Sequence, residues 1–376
     1  MISALRSLPP HLRLLLDALA APSVCGALDD GQWDLLVRSA RAARLLGSLA
    51  SRVRQAKMLE SVPLCARQHL LGAETEARYL RQMTLYELAS VAKVLHPIGI
   101  PCLLLKGAAY IAQELPIADG RNPRDLDLMV PRPRLQEAEQ ALRSHGWMFD
   151  AKLTDYDQHY YRAWSHELPP LRRPGHAFEV DLHHTILPPI GRLKPDATRL
   201  IADSIEMPGL RFRVLRPADQ VLHAAAHLFQ DSDCVGKLRD LVDIDGLVRH
   251  FSATQGERFW QDLGESASLH GLGRPLWYAL AFGCAWLDTP VPPPVWDEMR
   301  AHRPPATSRW PMSVLAGRVL PPIHPDAEAG AVERVAASIL EFRALWLRMP
   351  PWTLAYHSVS KLVRSMRKPT ASPSAG

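Results

Sequence analysis

Residues 101–130 read PCLLLKGAAYIAQELPIADGRNPRDLDLMV, and the reading of this stretch decides the fold. A β-strand sends side chains i and i+2 to one face. In DLDLMV, Asp125 and Asp127 therefore stand side by side while Leu126, Leu128 and Val130 face the other way. Two carboxylates that close repel each other unless positive charge sits between them. A divalent metal ion is the candidate. Upstream, IPCLLLKG predicts a short apolar strand bounded by Pro101 and Gly107, GAAYIAQEL returns to helical composition, and PIADGRNPR is a loop.

Working outward, PRPRLQEAEQALRSHGW predicts a helix that stops near Gly146. WMFDAKL reads as a third strand, residues 160–164 as another, and HAFEVDLHHTI as a strong one. The fold class is α+β: a small mixed sheet with helices on it, over 96–190, between helical regions at 1–95 and 191–367. In the first of these, Asp29 or Asp30 caps a helix whose apolar positions Trp33, Leu36, Ala40 and Leu45 recur at three-to-four spacing. A longer helical pattern follows and ends before Gly99. After Pro188 the chain is irregular and rich in proline and charge; helices resume at DQVLHAAAHLFQ and KLRDLVDIDGLVRH. Residues 368–376 have the composition of a disordered tail.

The 376 residues, 47% hydrophobic and 22% charged, describe a folded globular chain with room for a sizeable core. A net charge of +5 suits an anionic substrate such as a nucleotide. It does not point to an extended nucleic-acid surface, because the arginines are scattered among acidic residues and form no block. Cys25, Cys65, Cys102, Cys234 and Cys284 are isolated from one another, as reduced thiols of a cytoplasmic protein would be. The start makes a poor signal peptide, and no run reaches the roughly 18 to 20 apolar residues of a membrane span. At the other end, Trp346, Leu347, Trp352, Leu354 and Val363 join Arg348, Lys361, Arg364, Arg367 and Lys368 in a basic apolar helix. Such a helix can touch an anionic membrane from the side, or pack on the body with a solvated basic edge.

The chemistry-bearing residues gather in the mixed region. On FEVDLHHTI, Glu179, Asp181 and His183 share a strand face. If this strand neighbours DLDLMV, Asp181 completes a three-carboxylate cluster with Asp125 and Asp127, a donor set for Mg2+ or Mn2+. Such a cluster can hold two ions roughly 3.5 to 4 Å apart, which clamp the oxygens of an in-line phosphoryl displacement. Lys106 follows a strand, Gly107 lets backbone approach a ligand closely, and Arg121 and Arg124 precede the aspartates, all within reach of phosphates. His223 and His227 sit four apart on one helix face, with Arg239, Asp240 and Asp243 on the next helical segment. Zinc ligation, a polar patch closing over a nucleotide through His227, Arg239 and Asp243, and a purely structural network are all open to them. His183 faces the expected cleft beside His184, and His166 lines the same opening as a neighbour of the metal ligands or of an acceptor.

LLLKGAAYIA, RDLDLMV, EVDLHHTI and LRDLVDIDGLV together resemble a family of poorly characterised bacterial nucleotidyltransferases, a branch of the superfamily similar to DNA polymerase beta in its catalytic core. The resemblance runs from the helices after Trp33 to the helical region after Pro217. It implies Gly107 as the turn before the metal pair Asp125 and Asp127, Asp181 as the third ligand, and transfer of a nucleoside monophosphate from ATP or another nucleoside triphosphate to an acceptor hydroxyl. Lys106 stands where a small residue is usual, and the serine of the usual Gly-Ser turn is missing. The sequence contains no Walker-type loop and no kinase signature set, which disfavours a phosphotransferase. A non-catalytic nucleotide-binding or protein-interaction module with the same fold is the alternative reading.

Overall fold

A computed structural model describes residues 8–207, 209–230 and 235–356. Its sheet has seven strands: β1 Leu103–Leu104, β2 Asp125–Met129, β3 Met148–Phe149, β4 Leu171–Arg172, β5 Glu179–His183, β6 Ile205–Met207 and β7 Phe212–Val214. Their spatial order is β3-β4-β5-β2-β1-β7-β6. β2 pairs in parallel with β5 and antiparallel with β1, and β1 pairs in parallel with β7. Leu126, Leu128, Val180 and Leu182 are fully buried on one face of the β2–β5 pair. A one-residue slip would turn these four side chains to the polar face, so the hydrophobic pattern fixes the register of the aspartates. One continuous hydrophobic core runs from Leu8 to Leu340 through the sheet and the helices on both sides of it in sequence.

The first helical region is anchored as expected at Asp29, which forms a reciprocal capping box with Gln32 (2.8 and 3.0 Å). The continuous apolar pattern nevertheless breaks. One helix covers Asp30–Ala42 and another Leu46–Gln55, with Arg44 in left-handed backbone between them (φ +58°). The long helix Leu64–Leu95 then leads to β1.

Two further expectations are corrected. Residues 160–164 form a π-helical turn instead of a strand: Thr154 and Asp157 make a capping box that starts the helix Asp155–His159, and the aromatic pattern continues it, with the Tyr160 and Trp164 rings 6.1 Å apart. The stretch after Pro188 is not irregular throughout. It contains the helix Ala197–Ala202 and the strands β6 and β7, three residues each, whose alternation is too short to stand out amid proline and charge. WMFDAKL contributes only Met148 and Phe149 to the sheet.

The helix Pro217–Gln230 packs against Leu238–Gln255, Glu257–Leu269 and Gly273–Leu287 and is buried over most of its length. Among the described residues no helix is long and apolar enough to cross a membrane. Trp346 and Trp352 are exposed. The basic residues expected from 361 to 368 and the tail at 368–376 lie outside the described residues.

Candidate active site

The β2–β5 register sets Asp127 opposite Asp181, Asp125 opposite Glu179 and Met129 opposite His183. Paired residues of parallel strands share a face, so the three aspartates expected to act together do lie on one surface. The positive charge between them is supplied by the protein. Asp127 Oδ1 accepts hydrogen bonds from Lys106 Nζ at 3.1 Å and from His183 Nε2 at 3.0 Å. Burial opposes ionisation of Asp127, but Lys106 and His183 outweigh it and hold the carboxyl well below the usual range. Asp125 moves the other way, raised by burial and by the charge of Asp127. Asp181 is raised to about 9, by burial first and then by Asp127 and Glu167. Its Oδ1 is shielded from solvent and has no hydrogen-bond partner. Glu179 is drawn aside by an ion pair with Arg172.

Lys106 begins the helix Lys106–Ala112 in left-handed backbone (φ +44°), a conformation that costs a non-glycine residue about 1–2 kcal/mol. The strand before it is tied to β2 by the Leu105 N–H, which donates to the Asp127 carbonyl at 3.0 Å. Burial disfavours the ammonium, yet Asp127, Asp125 and Glu167 more than offset this and keep Lys106 charged. Gly107 has a concrete neighbour: a Cβ there would stand 3.1 Å from Arg121 Nε. Arg121 itself forms an ion pair with Asp243 and lies over the Tyr110 ring, 5.2 Å from its centre. Arg121 and Asp243 are thus brought together as a buried pair that joins the loop before β2 to the helix Leu238–Gln255.

A cavity of about 250 Å³ opens beside Asp125 and Asp127. Its walls carry six basic residues, Arg44, Lys106, Arg121, Arg124, Lys237 and Arg239, against the acids Asp125, Asp127, Asp240 and Asp243. Gly107 and His227 also line it. Arg124 is exposed, and Arg239 Nε stands 3.7 Å from Asp240 Oδ1. Burial and then Lys106 hold His227 well below the usual imidazole range, so it is a neutral wall beside the cations. Cavities of about 680 and 720 Å³ lie elsewhere in the protein, but they contain none of the residues that the sequence singles out. Convergent charge and an unpartnered carboxylate identify a site better than volume does.

Arg44 escaped the sequence reading. The helix Asp30–Ala42 ends in a paired turn in which Arg44 N–H donates to Arg41 O (3.0 Å) and Leu45 N–H to Ala40 O (2.7 Å). Glycine is the usual occupant of that left-handed position. An arginine there spends backbone energy to face a cavity of like charge, where burial and then Arg239 and Arg124 depress its pKa. Arg44→Gly is expected to stabilise the protein by about 1 kcal/mol, through relief of backbone strain and cation repulsion. It should at the same time weaken pyrophosphate binding about tenfold, as loss of one charged anion contact does. Thermal unfolding and titration calorimetry read the two effects separately, and a fall in both would mark Arg44 as structural.

On the other side of Asp127 lies a group that the sequence only half disclosed. His183 Nε2 is 3.3 Å and His166 Nε2 is 3.6 Å from Glu167 Oε2. Residues 166–168 run against the end of β5, with a bridge between Glu167 and His183 and a hydrogen bond from His184 N–H to His166 O at 2.9 Å. Glu167 was unforeseen because its segment reads as loop. The His223 and His227 rings are 6.5 Å apart, and no group of three metal-ligating side chains among the described residues includes them.

Asp125, Asp127 and the orphaned Oδ1 of Asp181 offer hard oxygen donors on one face, which fits magnesium or manganese. The three carboxylates do not close on a common point, and Lys106 and His183 are bonded to Asp127.

Residues 29–288 match the sequence model of a protein family described as uncharacterised nucleotidyltransferase. No curated protein and no solved structure matches the chain.

Proposed function

Because the chain belongs to this uncharacterised nucleotidyltransferase family, we propose that it moves a nucleoside monophosphate from a nucleoside triphosphate to an acceptor hydroxyl. The observation that carries the reading is the β2–β5 register, which sets Asp125, Asp127 and Asp181 on one face, with Asp125 and Asp127, though not Asp181, lining a cavity that has six basic residues in its walls. Lys106, Arg44 and Arg239 bind and orient the triphosphate as an anion, and Arg124 reaches it from the surface. Asp125, Asp127 and Asp181 would hold magnesium or manganese, which when bound neutralises and aligns the phosphate oxygens. Asp181 is the group suited to take the acceptor's proton. In the metal-free protein Asp181, raised to about 9, keeps its own proton at neutral pH; that proton would leave on metal binding, and the carboxylate so ionised can then accept the one from the acceptor, whereas Asp127 is already ionised and bonded twice.

The acceptor oxygen forms a bond to the α-phosphorus, the α–β bridging P–O bond breaks, and pyrophosphate leaves with the bridging oxygen. The test is incubation with each α-labelled triphosphate, magnesium or manganese, and a cell extract as acceptor source. Label transfer with stoichiometric pyrophosphate is expected; release of nucleoside diphosphate instead, or no triphosphate binding by the folded protein, removes the proposal.

A further inference from the structure

We infer that His166, Glu167 and His183 form a second cation site, for a divalent ion of the zinc class that accepts imidazole as well as carboxylate. Among the described residues, this is the group of three or more metal-ligating side chains whose donor atoms all lie within 4.8 Å of one another. Asp127 Oδ1 is bonded to His183 Nε2 at 3.0 Å but does not belong to this group. Two imidazoles and a carboxylate are a donor set for Zn2+ or Co2+, while magnesium and calcium prefer oxygen alone.

The site is built on fixed elements. His183 ends β5 with its side chain 1% exposed, and His166 and Glu167 are held against it by the bridge and by the Leu168 N–H, which donates to Leu182 O at 2.9 Å. Glu167 Oε2 already faces His183 Nε2 at 3.3 Å and His166 Nε2 at 3.6 Å, the spacing of ligand atoms that share an ion. Glu167 keeps its side chain 25% exposed, which gives an ion a way in. A cation here would take over from the His183 hydrogen bonds as the charge that balances Asp127 and Glu167. The inference stands apart from nucleotidyl transfer, since it concerns binding of the metal alone.

The experiment uses the full chain, stripped of metal and titrated with Co2+, whose visible absorption reports nitrogen ligation. Zn2+ and Mg2+ serve as competitors. Wild type is expected to bind Co2+ with a strong ligand-field band that Zn2+ abolishes and a tenfold higher Mg2+ concentration does not. His166→Gln and Glu167→Gln should each weaken Co2+ binding at least tenfold, while Asp125→Asn leaves the band in place. Glu167 is the more solvent-accessible of the two, so Glu167→Gln carries the test if the histidine variant unfolds. An unchanged Co2+ titration in Glu167→Gln, or a band that disappears in Asp125→Asn alone, overturns the site. Loss of nucleotidyl transfer with an intact Co2+ band would speak against the proposed activity and leave this site standing.

Discussion

Asp181→Asn and Asp127→Asn are expected to abolish the same activity while moving stability in opposite directions. Each removes a carboxylate from the face that meets the triphosphate, so metal-dependent label transfer should fall at least about 100-fold in both. Their environments differ although they face each other across one register position. Burial, and then Asp127, Glu167 and Asp125, raise Asp181 to about 9, with Lys106 pulling the other way. In the unfolded chain an aspartate titrates near about 4. Between those values the native protein retains a proton that the unfolded chain has released. The stability contributed by this group is therefore fully present below about pH 4 and is lost as pH rises through about 9. Asparagine removes that dependence, so metal-free Asp181→Asn should unfold at a higher temperature than wild type at about pH 8 and at nearly the same temperature at about pH 4.

Asp127 has the opposite sign. Its carboxyl is held low by Lys106 and His183, so its contribution is present above the ordinary aspartate range and fades as pH falls through the lower native value. Asp127→Asn leaves Lys106 with its nearest counter-charge gone. Since the lysine keeps some solvent contact, the expected cost is about 2–3 kcal/mol, short of a fully buried pair. Differential scanning calorimetry across pH, without and with magnesium, checks both signs. If the two variants shift alike, Asp181 does not carry the raised proton affinity that its burial beside Asp127 and Glu167 implies.

The strand pair was legible because alternation in DLDLMV and EVDLHHTI is strict and each carries apolar residues for a buried face. That the two strands are neighbours was only a condition in the sequence, since pairing between distant segments has no local pattern, and the parallel β2–β5 register supplies it. Arg44 was hidden for a physical reason: its left-handed backbone breaks a helix whose apolar spacing continues unbroken through Leu45. Glu167 was hidden in a segment held by a single bridge. Arg121 was found, but its engagement with Asp243 depends on contact between loop and distant helix, which no local pattern encodes. The strands β6 and β7 show the same limit, because three-residue strands draw their stability from their partners, β7 from β1 and β6 from β7, and not from their own periodicity.

How the N-terminal helices serve the site is settled at one backbone crossing, and Gly47→Ala tests it. Gly47 lies in the first turn of the helix Leu46–Gln55, where alanine is the better helix former by about 1 kcal/mol. Helix propensity alone therefore predicts a more stable protein. Packing predicts the reverse. A Cβ on Gly47 would come 2.2 Å from the carbonyl oxygen of Gly120, which is itself in left-handed backbone at φ +74° and would meet Gly47 if it carried a side chain of its own. Backbone cannot rotate out of the way as a flexible side chain can, so the helix and the loop must separate. Gln55 Nε2 to Asp119 Oδ2, 2.9 Å, ties the same two elements, and from the far side a Cβ on Gly246 would strike Ile117. The loop is thus clamped between an N-terminal and a C-terminal helix immediately before Arg121, Arg124 and Asp125. We expect Gly47→Ala to lose about 2–4 kcal/mol in chemical unfolding, as forced overpacking does, and to weaken triphosphate binding even where the protein remains folded. Gly72→Ala is the reference: it lies on the exposed face of the helix Leu64–Leu95 with nothing within 4 Å of the added carbon, and should gain up to about 1 kcal/mol. Equal gains in the two variants would mean that the crossing has slack, and that the N-terminal helices shape the cavity only through Arg44.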